Sequence, residues 1–329
     1  MRREIIGLLF AAALAGCIET SHAQPPEPVR TLGIVLGSHP GSVARYLDAL
    51  RHALRERGWI EGRNLRLEIR YVGSSYEQNA AAMAEFVRLA VDVIFVPGVV
   101  PAMAARDATA SIPIVFWMGV DPVSAGLVES YSRPGRNLTG IAGSAAGAGA
   151  KQLELLLEAV PRIRRVAFLI NPDRPDTEAL VQHAQQAARD LGVNLQVVKA
   201  RNATEVAWAL AEMRRTAADA LVMGAAGPLR HEFERIADFA IANRLPMIAT
   251  DTGDRNLDAA CLLRYGPSHP DALRRVANHI DRILKGAKPA DLPVERASRF
   301  HLVVNLKVAR AIGVVVPDTL LRIADEVIE

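Results

Sequence analysis

The chain has 329 residues, half of them hydrophobic and 23% charged, with a formal net charge of +3. This much apolar material supports a large core and excludes disorder for most of the chain, and the length suggests two domains. Basic residues are interspersed with acidic ones, which excludes the polybasic surface of a nucleic-acid-binding protein.

Arg2 and Arg3 lead into an apolar run from Ile5 to Ala15 that ends in Leu14-Ala15-Gly16-Cys17. The run is shorter than the about 20 residues a membrane span requires, and its basic start and small-residue end predict an export signal. Residues 1–16 read as a lipoprotein signal peptide, with Cys17 taking a diacylglycerol and becoming the new N-terminus. A competing cut after Ser21-His22-Ala23 would release a soluble periplasmic protein instead. Residues 17–28, with Gln24-Pro25-Pro26-Glu27-Pro28, read as an extended tether. No second long apolar stretch follows, so the expected membrane link is through the N-terminal lipid. The cysteines are Cys17 and Cys261. They form no disulfide framework, and Cys261 reads as a packed core residue.

Beyond the tether, short apolar runs alternate with helix-period segments, the pattern of βα units in a parallel sheet. Strands are predicted at Val29 to Leu36, Leu65 to Tyr71, Val91 to Val96, Ile114 to Trp117 and Leu138 to Ile141. Helices are predicted at Val43 to Arg57, Tyr76 to Leu89 and Pro101 to Thr109. The Gly- and Ala-rich stretch from Gly140 to Gly149 reads as a flexible crossing between two bodies rather than a packed element. The alternation then restarts with helix Lys151 to Ala159, strand Arg165 to Ile170, helix Thr177 to Leu191, strand Asn194 to Lys199 and helix Thr204 to Arg215. Strand Ala220 to Met223, helix Leu229 to Asn243 and strands Met247 to Ala249 and Ala260 to Tyr265 follow. The tail holds a helix at Pro270 to Lys285, a Pro-punctuated link, an extended run at Phe300 to Leu306 and a terminal helix. The expected fold is α/β, two Rossmann-like lobes with parallel sheets joined by a multi-crossing hinge. Residues 29–143 with 266–288 form the first lobe, and 144–265 with 289–329 the second.

Several segments resemble the ABC transporter substrate-binding protein family, TrpX-like. They include Leu54-Arg55-Glu56-Arg57-Gly58-Trp59-Ile60-Glu61-Gly62-Arg63-Asn64, Ile112-Pro113-Ile114-Val115-Phe116 and Asp121-Pro122-Val123. Arg133-Pro134-Gly135-Arg136-Asn137-Leu138-Thr139-Gly140, Ile283-Leu284-Lys285-Gly286 and Ala324-Asp325-Glu326-Val327-Ile328 match as well. The resemblance runs along essentially the whole mature chain. It implies a type I periplasmic-binding fold and a small-molecule ligand, with an ABC permease and its ATPase as partners. It does not extend to ligand identity, since Gly224-Ala225-Ala226-Gly227-Pro228 stands where aromatic amino-acid binders of this kind have a more polar loop.

In open parallel sheets, ligands bind outside the carboxyl ends of the strands, where loops present backbone groups and helix N-termini. The candidate ligand-binding residues at these ends are Ser38, His39, Gly98, Val99, Met118, Asp121, Asn171, Ala226, Thr250 and Asp251. Ser38 or Ser42 is placed to cap the first helix, Gly98 to bring the backbone close, and Asp251 to balance a ligand amine. Trp117 and Met118 offer an aromatic or thioether surface. Catalytic patterns are missing: Ala142-Gly143-Ser144-Ala145-Ala146 lacks the outer glycine spacing of a nucleophile elbow, and Gly147-Ala148-Gly149-Ala150-Lys151-Gln152 has no Ser or Thr after the lysine. The eight histidines are scattered without metal-ligand spacing. The expectation is a monomeric, non-enzymatic binding protein without cofactor or metal. Alternatives are a ligand-presenting sensor protein for a chemoreceptor or kinase, and a periplasmic α/β hydrolase.

Overall fold

The computed structural model describes residues 28–36, 40–73, 75–143, 145–173, 177–224, 229, 232–250 and 261–329. The first half contains β1 (Arg30–Leu36), α1 (Pro40–Arg55), β2 (Leu65–Tyr71), α2 (Tyr76–Arg88), β3 (Val93–Pro97), α3 (Val99–Ala108), β4 (Ile114–Met118) and β5 (Leu138–Ala142). Then come α4 (Ala145–Ala159), β6 (Arg165–Ile170), α5 (Thr177–Asp190), β7 (Asn194–Lys199), α6 (Ala203–Arg215), β8 (Ala220–Met223), α7 (Phe233–Ala242) and β9 (Met247–Ala249). The last part holds β10 (Leu263–Pro267), α8 (His269–Leu284), a 3-10 turn (Pro289–Asp291), β11 (Glu295–Arg296), β12 (Phe300–Asn305), α9 (Leu306–Ile312), α10 (Asp318–Ile323) and β13 (Glu326–Ile328).

Two sheets organise these elements. A six-stranded sheet has the order β11-β5-β4-β3-β1-β2, and a seven-stranded sheet the order β13-β12-β10-β9-β8-β6-β7. Every pairing in the first is parallel. In the second, β12 runs antiparallel to β10 and carries β13 parallel to itself, so two strands reverse the direction of the other five. Central strands such as Val93-Ile94-Phe95-Val96 are apolar throughout because helices cover both faces. Leu32, Ile34, Val93 and Phe95 point into a layer under α1 and α8, whereas Val35, Ile94 and Val96 point into one under α2 and α3. The seven-stranded sheet repeats the arrangement, with α4, α5, α9 and α10 on one face and α6 and α7 on the other.

Three passages carry the chain between the sheets: from β5 to α4, from β10 to α8, and from β11 to β12. They lie side by side. The Ser268 amide donates to the Arg299 carbonyl (2.9 Å), the Ala297 amide to the Ala142 carbonyl (2.9 Å) and the Gly143 amide to the Met118 carbonyl (2.6 Å).

Three sequence expectations change here. Most of the stretch from Gly140 to Gly149 lies in regular elements, with Gly140 inside β5 and residues 145–149 in the first turns of α4, and the passage begins at Gly143. Alanine loses the least side-chain entropy on becoming helical, and burial of Leu153, Leu155 and Leu156 offsets the helix penalty of the two glycines, about 1 kcal/mol each. Residues 289–296, assigned from sequence to the second lobe, lie against the first. β11 pairs with β5, Leu292 and Val294 are buried in the first lobe's apolar layers, and the Thr139 hydroxyl donates to the Leu292 carbonyl (2.7 Å). Finally, the single terminal helix is two short helices followed by β13. Gly313, in the left-handed conformation, ends the first of them.

Candidate functional site

The carboxyl ends of the parallel strands hold the described candidates, and their roles differ. Gly98 follows β3 with φ +115, a conformation that favours glycine. Its amide donates to the Trp117 carbonyl (2.8 Å) before Val99 opens α3. Asp121 is exposed and engaged in its own loop, where Oδ1 accepts from the Val123 amide (3.0 Å) and Oδ2 from the Ser124 hydroxyl (3.2 Å). Asn171, buried at the end of β6, shapes the loop there: its Oδ1 accepts from the Asp173 amide (3.0 Å) and its carbonyl from the Thr177 hydroxyl (2.7 Å). Thr250 Oγ1 accepts from Gln152 Nε2 (3.3 Å), which also donates to the Tyr265 carbonyl (2.9 Å).

Met118 does not present its thioether at the surface. It is 2% exposed and belongs to the apolar layer under α2 and α3, because the strand alternation sends it to the opposite face from Trp117. Ser38, His39, Ala226, Asp251 and Cys17 lie outside the described residues.

Trp117 anchors a ring cluster that sequence reasoning did not assemble. Its indole stacks on Tyr46 (centroids 5.7 Å, interplanar angle 10°), and the His269 imidazole meets it edge-on (4.4 Å, 84°). Tyr46 also stacks on Phe95 (6.3 Å, 9°). These residues come from α1, β3, β4 and the first position of α8, so the cluster stands beside the passage from β10 to α8. On the other sheet, Tyr265 of β10 stacks on Phe300 of β12 (5.4 Å, 12°), beside the passage from β11. Burial pushes the Tyr265 hydroxyl above its ordinary pKa, with Lys151 opposing the shift. An offset ring pair contributes about 0.5–1.5 kcal/mol beyond its buried area. Such surfaces suit a planar or apolar group.

The Tyr46 hydroxyl is enclosed and finds no hydrogen-bond partner among the described residues. Burial alone raises its pKa well above the ordinary phenol value and keeps it neutral. An unpaired buried hydroxyl costs about 1–3 kcal/mol, so Tyr46→Phe, which keeps the stack, should raise stability by about 1 kcal/mol in thermal or urea unfolding. A drop in stability would show that the hydroxyl is satisfied.

Among the described residues, no group of three His, Cys, Asp or Glu side chains is arranged to hold a metal ion, and no helix is long and apolar enough to cross a membrane.

Known proteins share this construction. The family model described as ABC transporter substrate binding protein matches residues 33–328. A tyrosine-binding protein of Clostridioides difficile (strain R20291) is 22% identical over 317 residues, spanning 94% of this chain and 90% of that protein. A solved ABC domain in complex with L-Trp from Streptococcus pneumonia superposes with a TM-score of 0.81 at 21% identity, over 92% of this chain and 100% of that one. The ligand-free, open structure of a Clostridium difficile substrate-binding protein with adhesive properties gives 0.69 at 22% identity, over 91% and 99%. The chain belongs to the ABC transporter substrate-binding protein family and has the two-sheet α/β fold of type I periplasmic binding proteins.

Proposed function

We propose that this protein is the extracytoplasmic solute-binding component of an ABC importer, which holds a small molecule between its two lobes and delivers it to a permease driven by an ATPase. The observation that carries this reading is the juxtaposition of three interlobe passages with aromatic side chains at the strand ends, in a chain whose family binds substrates for ABC transporters. Closure in such a protein is a population shift, driven only by the contacts a solute makes more favourably in the closed state. The ring cluster around Trp117, together with relatives described as binding tyrosine and in complex with L-Trp, supports an amino acid with a planar side chain as the solute class.

Mass spectrometry of the small molecule that co-purifies with the protein, followed by titration with L-tryptophan, L-tyrosine and aliphatic amino acids, tests the assignment. Binding confined to a sugar or an aliphatic compound would overturn the solute class.

Export places the protein outside the inner membrane, held by lipid on Cys17. Replacing Cys17 with Ala should move it from the membrane to the soluble periplasmic fraction. A wild-type mature chain beginning at Gln24 would establish the competing cut instead.

A further inference from the structure

We infer that Arg275 is a positioning residue for closure, a latch that ties the third interlobe passage to the first lobe and so sets the balance between lobe arrangements. The inference rests on the solute-binding reading above. Arg275 lies on α8, whose N-terminus is where the second passage ends. Its guanidinium reaches three separate segments. Nε donates to Asp271 Oδ2 (2.9 Å) on its own helix, Nη1 to Glu295 Oε2 (2.8 Å) on β11, and Nη2 to the Ser298 hydroxyl (2.6 Å).

Those contacts have different consequences. α8 and β11 both belong to the six-stranded lobe, so the bonds to Asp271 and Glu295 hold that lobe together and orient the guanidinium. Ser298 lies between β11 and β12, within the stretch whose backbone must turn if the lobes rotate. On its two sides, the Ala297 amide is bound to the Ala142 carbonyl at the first passage, and the Arg299 carbonyl accepts from the Ser268 amide at the second. The Arg275–Ser298 bond is therefore the side-chain link that fixes one helix to the middle of a passage flanked by the other two. The planar fork of arginine spreads its donors over three nitrogens that meet all three acceptors at once, a geometry the single nitrogen of a lysine does not reproduce. A bond made in one lobe arrangement and lost in another biases their ratio by its own free energy, and a bias in that ratio appears directly in the apparent affinity for a solute.

Ser298→Ala removes the link at an exposed position, Arg275→Lys keeps the charge without the fork, and Glu295→Gln weakens the bond within the lobe by replacing a carboxylate acceptor with a neutral amide oxygen. In ligand-free protein, Ser298→Ala should shift the small-angle scattering profile and speed amide exchange at residues 297–299 with melting unchanged. Glu295→Gln should lower the melting temperature and leave the profile in place. With L-tryptophan as the probe, Ser298→Ala and Arg275→Lys should change the dissociation constant about three- to tenfold, tighter if the profile becomes more compact and weaker if it expands. A Ser298→Ala profile superimposable on wild type, or a Glu295→Gln shift as large as that of Ser298→Ala, overturns the latch. If the wild type binds no ring-bearing amino acid, the solute class fails, while the ligand-free measurements still decide the latch.

Discussion

Trp117→Ala should weaken solute binding about a hundredfold, while Trp117→Phe should stay within about threefold of wild type. Large aromatic side chains dominate binding energies when they form the wall of a desolvated site, and their truncation costs about 3 kcal/mol, with about 1.4 kcal/mol for each tenfold in affinity. Trp117 meets the requirements for such a wall. It stands at the carboxyl end of β4, it is partly exposed, and the Tyr46 and His269 rings hold its indole in one orientation, so little side-chain freedom remains to be lost on binding. Isothermal titration with the co-purified solute, or with L-tryptophan, measures the effect. Melting curves of both variants separate it from damage to the fold, since phenylalanine retains the stacking partner for Tyr46. A Trp117→Ala protein with full affinity and normal melting would place the indole outside the site.

The sequence made the order of elements legible because strands covered on both faces must be continuous apolar runs, as at Val93-Ile94-Phe95-Val96, and because amphipathic helices such as α8 show their period. The ABC substrate-binding resemblance was legible for a different reason, in motifs spread from Leu54 to Ile328 that the family match over residues 33–328 confirms. Features set by pairing between distant segments were not legible. Nothing local in Phe300 to Asn305 indicates that it runs against β10, and nothing in Glu295-Arg296 indicates that it joins β5. The site shows the same division. Trp117 is recognisable at its strand end, but its partners Tyr46 and His269 come from helices remote in sequence, and ring contacts of that kind leave no periodic trace. Met118 shares the strand end with Trp117 but is buried in the opposite layer, because strand alternation and not position along the chain decides which face a side chain takes. The Gly- and Ala-rich stretch misled for a simpler reason: small residues serve equally in flexible linkers and where backbones must approach closely, and composition alone does not separate the two.

Gly140 provides the test of that distinction, since its two readings predict opposite results. In a flexible linker, Gly140→Ala would be neutral or slightly stabilising, by restricting the unfolded chain. In β5, Gly140 lies opposite Phe116 of β4, and a Cβ at this position would fall 2.0 Å from the Phe116 carbonyl oxygen and 2.6 Å from its nitrogen. Both are backbone atoms of a central strand, so no side-chain rotation relieves the overlap. β4 and β5 must separate, straining their ladder beside the first interlobe passage at Gly143 and beneath Trp117. Gly140→Ala should therefore destabilise the protein by about 3 kcal/mol, the upper part of the range for inserting atoms into a packed interior, and should weaken solute binding as well, because the strand that carries Trp117 is displaced. Gly149→Ala is the matched control. It sits in α4 with open space around its Cβ, so the exchange should stabilise by up to about 1 kcal/mol through helix propensity alone. Urea unfolding of the two variants decides the matter: equal effects of the same sign would return Gly140 to the linker reading, whereas opposite signs establish that the first glycine of the stretch is a point of strand contact and that the hinge begins only after Ala142.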